Sequence, residues 1–160
     1  MIYTLEIDPK GIAELIAKTG VIWARDTLSR AVTSGGAFLQ TWIIENRLTG
    51  PRPQFLGVLS NRLRSSIAVS SPETESDGVS VRIGTNVEYA RIHEFSGIIF
   101  PGTKGFLAWK NRDTGKWIFT KKPVTIPARP FLRPAIEDSG NQEIVKEIIS
   151  ESINKAIEEA

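Results

Sequence analysis

Hydrophobic positions along the chain change period several times, and those changes divide it into elements. Ile2–Ile7 alternates, with Tyr3, Leu5 and Ile7 on one side and Ile2, Thr4 and Glu6 on the other, which predicts a short strand. Asp8-Pro9 follows as an N-cap with proline at the first helical position, and Ile12, Leu15 and Ile16 give a short amphipathic helix that Gly20 can stop. Val21, Ala24, Leu28, Val32, Leu39, Trp42 and Ile43 then recur at helical steps, predicting one long helix over about 21–47. Gly35-Gly36 lies inside it. Each glycine costs roughly 1 kcal/mol against alanine in a helix, so the pair marks a kink or a close approach of another backbone. The register runs through the pair, which favours one kinked helix over two. A helix of this length exceeds what one small core needs, leaving surface for a subunit contact.

Gly50-Pro51-Arg52-Pro53 reads as a loop anchored by Phe55-Leu56, and Leu59–Ser66 as a polar, basic helical turn. Ile67–Ser71 and Val79–Ile83 alternate around the acidic segment Pro72–Gly78, predicting a hairpin with a solvated loop. Thr85-Asn86-Val87-Glu88 fits a capping box, so a short helix is expected over Val87–Phe95, ended by Gly97. Ile98–Gly105 reads as a mobile loop. Phe106–Trp109 and Trp117–Thr120 flank a five-residue turn, Asn111 to Gly115, the best local hairpin signal in the chain. Its Trp109 and Trp117 are expected on one face, with the aromatics turned to the core and the lysines to water. Ser139-Gly140-Asn141-Gln142 offers a second capping box. It opens a helix whose stripe is Val145, Ile148, Ile149, Ile153, Ala156 and Ile157, with Glu151 and Lys155 able to pair. Glu158 and Glu159 oppose the helix dipole, so the last turn should fray.

This order predicts an α+β fold. A long N-terminal helix and a C-terminal helix pack on a mostly antiparallel sheet with a protruding β-hairpin. The 160 residues suit a single domain, with a helical part at about 1–50, a β-rich part at about 55–135 and the last helix at about 139–158.

The most informative stretch is Ile126-Pro127-Ala128-Arg129-Pro130-Phe131-Leu132-Arg133-Pro134. Each proline fixes its own φ and pushes the residue before it toward extended geometry, which biases Ile126, Arg129 and Arg133. Such a connector can hold Phe131 and Leu132 against a core and aim Arg129 at carbonyls, a carboxylate or a partner. Upstream stands Gly84-Thr85-Asn86-Val87-Glu88-Tyr89-Ala90-Arg91-Ile92-His93-Glu94-Phe95, and before it Leu59-Ser60-Asn61-Arg62-Leu63-Arg64-Ser65-Ser66-Ile67. In order and spacing the three motifs resemble the tail-completion or virion-morphogenesis proteins of tailed bacteriophages, over roughly residues 59–136. Two positions depart from the pattern. Ser96 and Asn61 stand where glycine is usual, and asparagine tolerates left-handed geometry. On this resemblance Tyr89, His93, Glu94, Phe95, Pro127, Arg129, Pro130, Phe131 and Leu132 are the family-motif residues, with a structural role expected for them.

Charge adds a second theme. The net charge of +2 conceals segregation: residues 1–46 carry net −1, residues 47–133 net +8, and residues 134–160 net −5. A basic middle and an acidic tail fit mutual neutralisation between neighbouring copies, or a basic face near DNA or an acidic partner. The basic candidates for interaction are Arg62, Arg64, Lys110, Arg112, Lys116, Lys121 and Lys122. Trp109, Trp117 and Phe119 interleave with the last five, a combination able to stack and hold single-stranded nucleic acid.

Enzymatic readings find little support. The chain has no cysteine, which removes disulfides and thiolate chemistry, and a single histidine, His93. Zinc proteases need a second histidine four residues after the first, where Gly97 stands. Gly102-Thr103-Lys104-Gly105 lacks the order and context of a phosphate loop, and Glu73, Glu75 and Asp77 lack the glycine and bidentate Glu of a calcium loop. A nuclease built on His93 and nearby arginines is the weakest reading, and no catalytic residue, metal or cofactor is expected. No apolar run is long enough to cross a membrane, and no signal-peptide pattern opens the chain. The resemblance implies a non-enzymatic assembly factor in tail completion or head-to-tail joining, ring-forming on assembly. Its partners would be other neck or tail proteins, and any DNA contact non-specific. It would be made in the host cytoplasm and then reside at the virion's tail end or neck. The alternative is a small nucleic-acid-binding module using the basic hairpin.

Overall fold

β4 (Val79–Gly84) is the strand around which the larger sheet is built, as its run of buried residues requires. In the computed structural model, which describes residues 2–6, 16–17, 20–50, 55–57, 60–74, 78–111 and 113–159, β1 (Ile2–Glu6) pairs antiparallel with one edge of β4. β2 (Ala68–Val69) and β3 (Glu73–Thr74) share the other edge. Val69 faces Ile83, whereas Glu73 faces Ser80, so one extra residue lies between β2 and β3. This is a β-bulge. Ser70 fills it, its N–H donating to Arg82 O at 2.8 Å and its hydroxyl accepting from Arg82 N at 3.0 Å. The segment expected to be a solvated loop is therefore partly strand, clipped by Arg82 to Glu73 at 2.6 Å. Residues 75–77 lie outside the described residues.

α1 (Val21–Ile43) lays Ala24, Leu28 and Val32 on Val79 and Val81 of β4. The helix runs without interruption through Gly35-Gly36, and the reason for a glycine there is proximity to the sheet. A Cβ on Gly36 would meet Val69 Cγ1 at 2.8 Å and Val81 Cγ2 at 3.2 Å. The departure from α geometry comes later, as a π-helical turn at Ile44–Leu48 closed by the Thr49 N–H and hydroxyl on Ile44 O. Upstream, Ile16 packs on the same core, and Gly20 at φ 81 ends that turn by donating to Ile16 O at 2.9 Å. The expected cap at Asp8-Pro9 and the Gly50 loop residues Pro51–Pro53 lie outside the described residues.

α2 (Arg62–Ser65) starts at Asn61, whose φ of 59 is the left-handed value for which asparagine stands in for glycine. α4 (Arg133–Glu137) and α5 (Ser139–Glu158) complete the first unit. Arg133, expected to be extended, is helical, because a proline in the first turn has no helical bond to lose. The cap of α5 is Asp138 and not Ser139. Its Oδ1 accepts from Asn141 N at 2.9 Å, while the Asn141 amide donates to Ala135 O and the Gln142 amide to Ile136 O, tying α5 to α4. α5 packs along α1 through Val145, Ile149 and the half-buried Ile153, Ala156 and Ile157. Lys155 pairs with Glu159 at 3.9 Å and not with the expected Glu151.

The chain divides into two compact units. One is Met1–Glu88 with Phe131–Ala160, and the other is Tyr89–Pro130. The second holds α3 (Ala90–Phe95) and two separate antiparallel pairs. β5 (Gly97–Ile99) pairs with β8 (Val124–Ile126), and β6 (Leu107–Lys110) with β7 (Trp117–Thr120). The fold is α+β as expected, and among the described residues the strands form a four-stranded antiparallel sheet and two two-stranded pairs, one of them the β6–β7 hairpin. Ile98 and Ile99, expected in a loop, are strand residues because their partner β8 comes from a distant part of the chain.

α3 begins three residues later than the capping box suggested. Thr85 Oγ1 accepts from Val87 N at 3.1 Å and lies 2.6 Å from Ser66 Oγ, which donates to Leu63 O. That chain of bonds spends the Thr85 hydroxyl on a turn. The helix ends at Ser96 and not at Gly97. Ser96 has φ 66 and ψ 172, a region essentially reserved for glycine and costing about 1–3 kcal/mol. Gly97 answers a different need, since a Cβ there would strike Ile92 Cγ1 at 2.7 Å. Ser96→Gly should stabilise the protein by about 1 kcal/mol, the relieved strain less roughly 0.5–1 kcal/mol of added unfolded-state freedom. A urea midpoint that stays put or falls would show that the serine side chain holds the turn.

Candidate functional site

The second unit holds most of the two principal motifs, residues 89–95 of one and 126–130 of the other. Tyr89 precedes α3, and its ring meets the His93 imidazole edge-on, with centroids 6.0 Å apart and planes at 87°. Glu94 is fully buried and Phe95 exposed. The prolines at 127 and 130 lack N–H groups, which leaves Ala128 and Arg129 as the donors between them. The Arg129 N–H donates to His93 O at 2.6 Å, so the connector closes on the C-terminal turn of α3. Phe131 and Leu132 follow, both at 0% exposure within the first unit. The backbone of Arg129 makes this contact. Pro127 is exposed and Pro130 half-buried.

The basic candidates are divided between the two units. Arg62 and Arg64 are exposed on α2 of the first unit, whereas Lys110, Lys116, Lys121 and Lys122 are exposed around the β6–β7 hairpin of the second. Arg112 lies outside the described residues. The turn is built by Asn111, whose Oδ1 accepts from Asp113 N and Thr114 N, both at 2.9 Å. Its main chain bonds Gly115 and Lys116, with Gly115 at φ 67.

The hairpin register overturns the expectation for its aromatics. Trp109 faces Ile118 and Lys110 faces Trp117, so the two tryptophans lie on opposite faces. Leu107, Trp109, Ile118 and Thr120 share the more buried face. Phe106, Ala108, Lys110, Trp117 and Phe119 share the other. There Phe119 sits 5.9 Å from Phe106 and 6.4 Å from Trp117, ring centre to ring centre. Trp117 and Phe119 are each 63% exposed, so the aromatics are not turned into a core. Two strands cannot bury both of their faces, and this one stays in water. Ile98, Ile99 and Phe100 of the same unit are exposed as well. The signal in the sequence is apolar residues at successive positions of the hairpin strands, Phe106-Leu107-Ala108-Trp109 and Trp117-Ile118-Phe119, which puts apolar side chains on both faces.

No cluster of His, Asp or Glu able to hold a metal ion occurs among the described residues. The first unit carries an apolar cleft of about 230 Å³ between α1, α4 and α5, lined by Leu39, Ile136, Gln142, Val145, Lys146 and Ile149 among others.

The model of the Phage virion morphogenesis family matches residues 42–154, the greater part of the chain. The chain belongs to that family. The match runs from the end of α1 through both units into α5, taking in all three motifs and the hairpin. No curated protein and no solved structure matches the chain. Membership makes this virion morphogenesis protein a phage assembly component, in a family of structural and assembly character. Among the described residues no helix is long and apolar enough to cross a membrane.

Proposed function

We propose that this virion morphogenesis protein acts without catalysis in tail completion or head-to-tail joining, as a neck or tail-end component that oligomerises on assembly. Family membership over residues 42–154 carries the reading. Its surface supports it. Soluble monomers seldom keep large apolar side chains in contiguous exposed patches, and such patches mark binding surfaces. In the second unit the exposed large apolar side chains include Phe95, Ile98, Phe100, Phe106, Trp117 and Phe119. The mechanism is docking: the second unit presents an aromatic, basic surface to other virion proteins or to copies of itself.

Electron microscopy of a lysate from the parent phage carrying an early stop codon in this gene tests the role. Filled heads beside separate tails, or tails of uncontrolled length, are the expected outcome. Normal infectious particles would remove it.

A further inference from the structure

The β6–β7 hairpin is a two-stranded sheet with no third strand among the described residues. Isolated hairpins are marginal in water unless a face is covered. The face of Phe106, Trp117 and Phe119 is uncovered and carries Lys110 beside its aromatics. The first unit supplies a complementary shape. Its cleft of about 230 Å³ falls below the roughly 300–1,000 Å³ of small-molecule sites and suits one large side chain. Around it run acidic groups. Glu137 follows the lining residue Ile136, and Glu143 pairs with the lining Lys146 at 3.1 Å. Glu147 and Glu151 continue the same exposed side of α5.

Charge decides which occupant fits. The unit Tyr89–Pro130 holds eight Lys/Arg against two Asp/Glu, net +6, while residues 134–160 carry net −5. A hairpin docked on another hairpin would set lysines against lysines. A hairpin docked on α5 of another copy sets them against glutamates. We propose that the Phe106–Trp117–Phe119 face of one chain seats in the α1–α4–α5 cleft of a second copy, with Trp117 as the anchor and Lys110 against Glu137, Glu143 and Glu147. The two surfaces differ, so the contact is head-to-tail and repeats from copy to copy, which is how a ring closes. This inference rests on the assembly role proposed above.

The absence of cysteine makes the test clean. One full-length preparation carries Lys110→Cys, and another, tagged to a different size, carries Lys146→Cys. Both positions are exposed, and circular dichroism verifies folding. Mixed and oxidised, they should give the mixed dimer on a non-reducing gel, while neither alone gives a homodimer. Adding Trp117→Ala to the Lys110→Cys chain should cut the mixed product at least about tenfold, as expected for a tryptophan anchor. Homodimers of the Lys110→Cys chain would overturn the proposal in favour of a symmetric hairpin contact. So would no cross-link in either purified protein or phage lysate. So would tryptophan quenching by a single-stranded oligonucleotide at low salt with no cross-link, which would give the face to nucleic acid. Micrographs of the stop-codon lysate read the assembly role separately. If they show blocked particles while the cross-link is absent, the contact falls and the role stands.

Discussion

Phe131→Ala should lower the stability of the protein by about 3–5 kcal/mol, the usual cost of emptying a fully buried phenylalanine site. Phe131 is among the largest side chains at zero exposure, and Leu132 beside it is buried too. The site cannot collapse easily. Pro130 and Pro134 stiffen the chain on either side, and the Arg129 N–H is fixed to His93 O at 2.6 Å. A backbone held in this way cannot slide to fill the void, which argues for the upper half of the range. Thermal unfolding should move down by roughly 10 °C or more. A shift under about 3 °C would mean that the pocket repacks, and that the connector is less rigid than its prolines imply.

Gly36→Leu is expected to be the next most damaging, by about 2 kcal/mol. Even a Cβ at this position meets Val69 Cγ1 at 2.8 Å, and a leucine adds three more carbons toward the sheet. The helix gains roughly 1 kcal/mol in propensity from losing a glycine, which overpacking of about 1–3 kcal/mol or more outweighs. Denaturation of Gly36→Ala and Gly36→Leu separates the two effects: alanine should change little, leucine much. Equal midpoints for both would show that β2 yields freely, and that the glycine is not there for closeness.

Period and turn chemistry made the long helix, the last helix, the central hairpin and the buried Phe131-Leu132 pair readable. Each is specified by residues near one another in sequence. The misreadings share a cause as well. Thr85 and Ser139 both looked like caps, yet Thr85 bonds Ser66, nineteen residues away, and Asp138 takes the cap one position before Ser139. Ile98 and Ile99 pair with a strand that no local signal foretells. A five-residue turn makes the hairpin tryptophans read as cross-strand or diagonal neighbours on one face. The turn closed by Asn111 and Lys116 instead puts Lys110 opposite Trp117, and a slip of one residue reverses every face. The exposed aromatic row, the feature most relevant to docking, depended on that single residue of register. The family motifs at 84–95 and 126–134 were visible, but not that one closes on the other through a backbone bond.

The first unit is discontinuous: it is left at Glu88 and resumed at Phe131, and its core takes Val145 and Ile149 from the last helix. During translation, therefore, the earlier half of that core must wait, apolar surface uncovered, until Phe131 to Ile149 have been made. The cleft between α1, α4 and α5 comes into being only with the final helix. A nascent chain that has not yet reached Ile149 has no such receptor site, so copies at that stage cannot be joined through it.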